Sequence, residues 1–241
     1  MARILLLGGT EEARRAAEML DQMGADVLVS LATQSADPYP GAERRGGFGG
    51  EDAMVEFLQN EGVEVVADAT HPFAAEISPM AKRAARRAKV RYIRLERRPW
   101  RRSAADRWID VRTLDEAANL LDNGSTVFLT VGGRHLQPFL MRRDLDLVIR
   151  CIEMPDLGTR RDVTVIRDRG PFTVEDERAL FARYRFDAMV TKNSGGDATA
   201  AKLVAARERR MLVYMVQRPR GQPFVNCRTP EQLVRRLRRY V

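Results

Sequence analysis

Strand and helix patterns alternate from one end of this 241-residue chain to the other. Short β-branched or leucine-rich runs, which suit buried strands, are separated by stretches whose apolar residues recur at helical spacing. Strands are predicted near residues 2–7, 26–31, 63–69, 90–95, 126–131, 145–152, 162–167, 186–191 and 211–217, and helices near 11–23, 51–61, 74–88, 113–123, 173–184, 197–209 and 229–240. Such alternation is typical of parallel sheets with helices on both faces, so we predict an α/β fold.

The second half of the chain repeats motifs of the first half in the same order. The matched segments are 6–10 with 130–134, 70–71 and Tyr92 with 192–193 and Tyr214, and 108–113 with 224–229. Each copy closes on a Thr that is followed three residues later by Glu or Gln, which is the pattern of a capping box. The repeat predicts two similar Rossmann-like domains, residues 1–115 and 116–241, with parallel sheets and an interdomain cleft.

Composition places the chain among ordinary globular proteins, with 44% hydrophobic and 31% charged residues. No apolar run reaches the roughly 20 residues that span a bilayer, and the N-terminus has no secretory pattern. Cys151 and Cys227 match no metal or redox spacing. We therefore predict a cytoplasmic protein without a membrane segment or a metal site.

The formal net charge of +8 comes almost entirely from arginine, since Lys82, Lys89, Lys192 and Lys202 are the only lysines. No helix-turn-helix, zinc or RNA-binding pattern accompanies this charge, so nucleic acid is not predicted as a partner. The densest basic stretch is Arg97–Arg102, interrupted by Pro99 and Trp100. It is either a solvated face or a docking patch for a polyanionic ligand.

The first predicted strand leads into Gly8-Gly9-Thr10, and a predicted helix follows from Glu11. Glycine lets the backbone approach a phosphate closely, and a helix N-terminus offers free amides and partial positive charge. The full dinucleotide fingerprint is absent, because Thr10 and Ala13 replace the later glycines. The segment is therefore either a nucleotide-binding turn or an ordinary tight turn.

The second predicted strand is followed by no acidic residue at the position where NAD-binding domains hold a ribose hydroxyl. Ser30 and Thr33 stand there, with Ser35, Arg44 and Arg45 further on. Small hydroxyl and basic residues suit the 2′-phosphate of NADP better than they suit NAD. The alternative is a polar surface loop.

Two equivalent turns carry further candidate residues. Residues 68–74, Asp-Ala-Thr-His-Pro-Phe-Ala, leave the carboxyl end of a predicted strand, where ligands bind in open α/β sheets. His71 in this turn is either a proton-handling group or a hydrogen-bonding strut. Lys192 precedes Asn193-Ser194-Gly195-Gly196 in the second copy and is placed to meet an anion, unless this segment only starts a helix.

These motifs together resemble one family. Gly-Gly-Thr-Glu-Glu-Ala (8–13), Asp-Ala-Thr-His-Pro-Phe-Ala (68–74), Arg-Leu-Glu-Arg-Arg-Pro-Trp (94–100), Val-Gly-Gly (131–133) and Thr-Lys-Asn-Ser-Gly-Gly (191–196) are similar to motifs of the precorrin-6A reductases of cobalamin biosynthesis. The resemblance covers essentially the whole chain. It implies NADPH-dependent reduction of one double bond of a corrin-type tetrapyrrole, which gives precorrin-6B.

Residue roles follow from the motifs and the resemblance. Gly8, Gly9 and Thr10 are expected at the pyrophosphate, and Ser30 and Thr33 at the adenosine phosphate. Thr70, His71 and Pro72 are expected near the nicotinamide, with His71 as a candidate proton donor. The tetrapyrrole is expected to meet Gly132, Gly133, Arg134, Lys192, Asn193, Ser194 and Gly195.

Competing hypotheses are weaker on the same residues. A short-chain dehydrogenase needs a Tyr-x-x-x-Lys pair, and no Tyr in this chain has Lys four residues later. A methyltransferase would place an acid near Thr33. A non-catalytic NADP-binding redox sensor and a cobalt-precorrin-6A reductase stay open. The two domains would form both walls of the cleft within one chain, so a monomer is expected.

Overall fold

A computed structural model describes residues 2–32 and 38–241 of the chain. The chain forms two compact units, the first made of Met1–Arg98 with Pro219–Val241 and the second of Pro99–Arg218. In both units parallel strands alternate with helices, as predicted. None of the helices in the described ranges combines the length and the apolar character that crossing a membrane requires.

The first unit contains a five-stranded parallel sheet. Its strands are β1 (Arg3–Leu7), β2 (Val27–Leu31), β3 (Ala42–Arg45), β4 (Val63–Asp68) and β5 (Arg91–Arg94). Its helices are α1 (Glu11–Gln22), α2 (Glu51–Asn60), α3 (Ile77–Arg87) and α8 (Pro230–Leu237), and a 3₁₀ turn covers Arg238–Tyr240. The strand order is β3-β2-β1-β4-β5, with β1 in the centre.

Both faces of this sheet are covered, which explains the unbroken apolar run in β1. Ile4 and Leu6 pack in one core cluster with residues of α1 and α8, whereas Leu5 and Leu7 pack in another with residues of α2 and α3. Successive side chains of a strand point to opposite faces, so a strand covered on both faces must be apolar throughout.

The second unit contains a six-stranded parallel sheet. Its strands are β6 (Arg107–Val111), β7 (Thr126–Leu129), β8 (Asp146–Cys151), β9 (Thr164–Arg167), β10 (Ala188–Lys192) and β11 (Leu212–Val216). Its helices are α4 (Leu114–Leu120), α5 (Gln137–Leu140), α6 (Val174–Tyr184) and α7 (Ala201–Glu208). The order is β6-β11-β10-β7-β8-β9, so five of its strands repeat the topology of the first sheet and β6 is added beside β11.

The first sheet has a short counterpart of β6. Leu95 forms a parallel bridge with Cys227, and the backbone N–H groups of Asn226 and Cys227 donate to the carbonyl of Arg94 at 2.9 and 3.0 Å. Residues 224–229, which repeat residues 108–113 in sequence, therefore lie beside β5 as β6 lies beside β11. The closing strand and helix of each repeat thus belong to the unit built by the other repeat.

Because of this exchange, the boundaries of the two observed units differ from the domain boundary predicted at residue 115. The first unit ends at Arg98 and resumes at Pro219, so the segment of β6 and α4 belongs to the second unit and α8 belongs to the first. Periodicity identifies a strand but not the sheet edge that it joins, because strand pairing is a non-local interaction. Periodicity also missed β3, a polar strand at the edge of the sheet, and β6 and the short helix α5.

Candidate functional site

The loops after β1 and β4 meet at the carboxyl end of the first sheet. The order reverses here, since the chain proceeds from β1 to β2 on one side while β4 lies on the other. Thr10 Oγ1 donates to the carbonyl of Ala69 at 2.7 Å and joins the two loops. A narrow cleft beside this bond is lined by Thr10, Glu12, Ala69, Thr70, Pro72, Leu95, Glu96 and Arg97. Open α/β sheets bind ligands at such a reversal of strand order.

The Gly8-Gly9-Thr10 turn is tight and leads directly into α1. A Cβ at Gly8 would lie 3.0 Å from Leu31 Cδ2 and 3.2 Å from Val29 Cγ1, so a larger residue would require these side chains of β2 or the turn to shift. Gly9 has φ +99°, a conformation that side chains disfavour. Thr10 caps α1 by accepting from the N–H of Ala13 at 3.1 Å. The predicted turn and helix start are present.

Tyr39 completes this turn and was not predicted from the sequence. The N–H of Gly9 donates to the Tyr39 hydroxyl at 3.1 Å, and the hydroxyl donates to the carbonyl of Thr10 at 3.3 Å. The guanidinium of Arg14 lies 4.4 Å from the centre of the Tyr39 ring. Burial raises the pKa of Tyr39, so the hydroxyl keeps its proton. Its position between two prolines carries no periodic signal that could have identified it.

Ser30 and Arg44 come together at the end of β2. Arg44 Nη1 donates to Ser30 Oγ at 2.8 Å, and the guanidinium lies 3.9 Å from the centre of the Phe48 ring. Burial lowers the pKa of Arg44. Arg45 instead forms an ion pair with Glu43 at 3.1 Å. The predicted residue Thr33, like Ser35, lies outside the described residues.

Asp68, the last residue of β4, organises the Thr70-His71-Pro72 turn. Its side chain is 1% exposed, and its Oδ1 accepts from the N–H of Thr70 at 3.1 Å and from Thr70 Oγ1 at 2.7 Å. Its Oδ2 accepts from the Tyr92 hydroxyl at 2.5 Å and from Arg94 Nη1 at 3.1 Å. The signal for Asp68 was present in the sequence, as an acid at the end of an apolar strand.

Arg94 supports this carboxylate from a buried position. Its Nη2 donates to Glu96 Oε2 at 2.6 Å, and its side chain is 1% exposed. Burial opposes the charge of Arg94, but Asp68 and Glu96 outweigh it and raise the pKa of the guanidinium. Burial and the charge of Asp68 also raise the pKa of Tyr92 well above its ordinary value. The network therefore holds Tyr92 as a proton donor to Asp68.

His71 turns one ring nitrogen back onto its own loop. Its Nδ1 accepts from the N–H of Phe73 at 3.2 Å, and the two ring centres are 5.8 Å apart. A neutral imidazole in this position carries its proton on Nε2. The hydrogen bond fits the interpretation of His71 as a residue that supports its own loop.

The predicted residues of the second unit follow two neighbouring strands, β7 and β10. Gly132 has φ +86°, and Gly195 has φ +69°. Lys192 ends β10 half-buried, and burial lowers its pKa. Arg134 is exposed. The turns that carry Gly132, Gly133, Arg134, Lys192, Asn193, Ser194 and Gly195 thus lie at the carboxyl end of the second sheet.

The side chain of Asn193 contacts the protein's own backbone. Its Oδ1 accepts from the N–H of Trp100 at 2.8 Å, and its Nδ2 donates to the carbonyl of Trp100 at 3.3 Å. Trp100 Nε1 donates to the carbonyl of Gly196 at 2.9 Å. Arg218 donates to the carbonyls of Asn193 and Ser194, both at 2.9 Å. Trp100 and Arg218 therefore fix the conformation of this turn. The only related signal in the sequence was the basic stretch around Trp100, which did not indicate these contacts.

Comparisons with known proteins extend over nearly the whole chain. A profile of the family described as precorrin-6x reductase CbiJ/CobK matches residues 3–238. A precorrin-6A reductase of Rhodococcus erythropolis is 43% identical over 223 residues, which cover 91% of this chain and 90% of that protein. A cobalt-precorrin-6A reductase of Priestia megaterium is 34% identical over 250 residues, covering 97% of each.

A solved structure of CobK precorrin-6A reductase has the same fold. Its TM-score is 0.92 at 36% sequence identity, covering 100% of this chain and 97% of that one. The resemblance predicted from the motifs is confirmed, as are the two parallel-sheet α/β units and the assignment to the oxidoreductases. The chain belongs to the precorrin-6x reductase CbiJ/CobK family of cobalamin biosynthesis.

Proposed function

We propose that this protein reduces precorrin-6A to precorrin-6B with NADPH as the hydride donor. The family match over residues 3–238 carries the proposal. The substrate assignment is supported by identity, which is 43% to the Rhodococcus erythropolis precorrin-6A reductase and 34% to the Priestia megaterium cobalt-precorrin-6A reductase. The cobalt-containing substrate is the alternative.

The first unit is the proposed NADPH-binding unit. A reductase of this kind implies a nicotinamide cofactor, and the close approach at Gly8, the positive φ of Gly9 and the cap at Thr10 fit a pyrophosphate. Glu12, in the first turn of α1, is paired with Arg97 at 2.5 Å, which offsets a carboxylate that would repel the phosphates. Thr33 is proposed, together with Ser30, at the adenosine phosphate.

NADPH is proposed over NADH because of Arg44. The guanidinium lies against Ser30 at the end of β2, where NAD-binding domains carry an acid. Arginine binds a phosphate with directed hydrogen bonds, so Arg44 and Ser30 fit the 2′-phosphate of NADP.

The second unit is the proposed tetrapyrrole-binding unit. Lys192 supplies a cation, and the glycine turns at Gly132-Gly133 and Gly195 supply backbone amides for the carboxylate side chains of the macrocycle. Arg134 adds an exposed cation. Asn193 and Ser194 contribute through the shape of the turn, since Trp100 and Arg218 hold them.

Reduction needs a hydride, which the reduced nicotinamide supplies when bound. The protein's part is to orient both molecules and to exclude water. His71 is proposed to orient or supply the balancing proton through Nε2, since Nδ1 is held by Phe73. We also propose that the protein acts as a cytoplasmic monomer that binds neither nucleic acid nor membrane.

Anaerobic turnover of enzymatically prepared precorrin-6A tests the function. Absorbance of the cofactor and of the macrocycle is followed with NADPH, with NADH and with the cobalt-containing substrate. Stoichiometric NADPH loss with a shifted macrocycle spectrum is expected for precorrin-6A. NADPH binding without loss on either substrate would instead indicate a redox sensor.

A further inference from the structure

The Thr70 hydroxyl has its hydrogen-bond direction imposed by its neighbours. A threonine hydroxyl offers one proton and two lone pairs. The Asp68 carboxylate oxygen, 2.7 Å away, can only accept, so it takes the Thr70 proton. Thr70 Oγ1 is therefore left with lone pairs alone for any other partner.

Ser78 uses one of these lone pairs. Its hydroxyl oxygen lies 3.1 Å from Thr70 Oγ1, and either oxygen could donate on distance alone. Because the Thr70 proton is directed to Asp68, Ser78 is the donor. One lone pair of Thr70 Oγ1 then stays available, and Thr70 lies in the lining of the cleft between the loops after β1 and β4.

The hydrogen bonds around Asp68 keep the Thr70 hydroxyl proton directed at the Asp68 carboxylate. Asp68 accepts from Thr70, Tyr92 and Arg94, and the whole carboxylate is buried. Rotating the Thr70 hydroxyl away would leave a buried carboxylate oxygen with one donor fewer, which is costly. A ligand group at Thr70 must accordingly be a donor, which excludes a phosphate oxygen.

We propose that Thr70 Oγ1 accepts a hydrogen bond from the nicotinamide nucleoside of the cofactor, and that Asp68 is the positioning residue that imposes this direction. The inference rests on the proposed function. With the pyrophosphate at the turn after β1 and the adenosine towards β2, the nicotinamide half lies on the β4 side, where Thr70 is. Its donors are the carboxamide N–H and the ribose hydroxyls.

Calorimetric binding of NADP⁺ and of its 3-acetylpyridine analogue, which lacks the carboxamide N–H, tests the proposal. Thr70→Val keeps the shape of the side chain and removes the acceptor, so NADP⁺ should bind about fivefold more weakly, as for one lost hydrogen bond. If the carboxamide is the donor, the analogue binds wild type and variant equally. If a ribose hydroxyl is the donor, the variant weakens both ligands by the same factor.

Controls separate this inference from the proposed function. Thr70→Ser retains the hydroxyl and should bind NADP⁺ like wild type, as should Thr164→Val on the exposed edge of β9. If Thr70→Val shows no cooperative melting, Thr70→Ala tests the same hydroxyl. Wild-type affinity in both hydroxyl-free variants, or an equal loss in Thr70→Ser, would overturn the inference. Failure of the wild type to bind NADP⁺ would overturn the proposed function instead.

Discussion

Arg44 illustrates how much one side chain contributes at the proposed cofactor site. Besides its bond to Ser30, it donates to the carbonyls of Gly46 and Gly47 at 3.1 and 3.0 Å and lies on the Phe48 ring. These contacts orient the guanidinium before any ligand arrives. A preoriented cation loses less conformational entropy on binding a phosphate.

Arg44→Ala should therefore raise the KM for NADPH by about tenfold or more while changing the KM for NADH less than about twofold, since a hydrogen bond to a charged group contributes about 1.5–3 kcal/mol. Steady-state kinetics with both cofactors measure this ratio. Arg45→Ala is the matched control, because Arg45 is paired with Glu43. An equal loss for both cofactors would refute the assignment of the 2′-phosphate to Arg44.

Lys192 gives a pH dependence whose sign follows from its environment. Burial disfavours the charged ammonium and lowers its pKa from the ordinary lysine value. The protonated form is the one that attracts a carboxylate, so its contribution to binding is complete below the lowered pKa and is lost as pH rises through it.

The KM for the macrocycle should thus rise at alkaline pH in the wild type, and in Lys192→Arg the rise should move to higher pH because arginine keeps its charge. Lys192→Ala should weaken macrocycle binding at neutral pH and leave NADPH affinity unchanged. Lys82→Ala, an exposed lysine on α3, is the control. Equal weakening of both ligands in Lys192→Ala would contradict the proposed division between the units.

Among the elements, α8 packs against a helix that lies far from it in the sequence. It lies more than 200 residues after α1, yet Leu233, Val234 and Leu237 pack in one core cluster with Ala13 and Leu20. Its docking is reinforced by an ion pair between Arg15 and Glu231 at 2.8 Å, although exposed pairs of this kind contribute little. The apolar contacts hold it.

Leu233→Ala should lower the free energy of unfolding by about 2–5 kcal/mol, since Leu233 is fully buried and the change opens a cavity. Denaturant titration measures this loss. Leu120→Ala on α4 is the control, because its half-exposed side chain should cost less than about 0.5 kcal/mol. Equal effects would mean that α8 is not part of the core of the first unit.

At the scale of the whole molecule, each repeat contributes its closing strand and helix to the unit that the other repeat builds. Residues 1–115 contain β6 but not its partner β11, and they lack α8, which covers one face of the first sheet. The compact units of the structure therefore divide the chain at other positions than the predicted domains do. Residues 1–98 joined to 219–241 contain the complete first sheet and its covering helices.

A fragment of residues 1–115 should show no cooperative thermal transition by circular dichroism. A protein in which residue 98 is joined through a short Gly/Ser linker to residue 219 should melt cooperatively, because Glu96 and Cys227 already pair across that junction. Cooperative melting of the 1–115 fragment would show that the exchanged segments are dispensable.

Local patterns were sufficient for the family of this protein and for its strands and helices other than β3, β6 and α5. Buried parallel strands must be apolar throughout, and helices must place apolar residues every three to four positions, so both leave a signal in the chain. Local sequence also predicted the glycine turns and the turn after β4, because their backbone geometry restricts the residue type. These segments are Gly8-Gly9, Gly132-Gly133 and residues 68–74. The roles of these residues toward ligands stay predictions.

Tertiary contacts decided the rest. Residues 107–111 and 225–227 join a sheet edge through pairing with segments more than 90 residues away in the sequence. Hydrophobic periodicity carries no information about such pairing. The same holds for single side chains. Tyr39 accepts a hydrogen bond from Gly9, and Asn193 accepts one from Trp100. Asp68 accepts from the Thr70 hydroxyl. Each bond forms only because the fold brings the two partners within hydrogen-bond distance. Residue types that permit a contact are local, whereas the contact itself is a property of the folded chain.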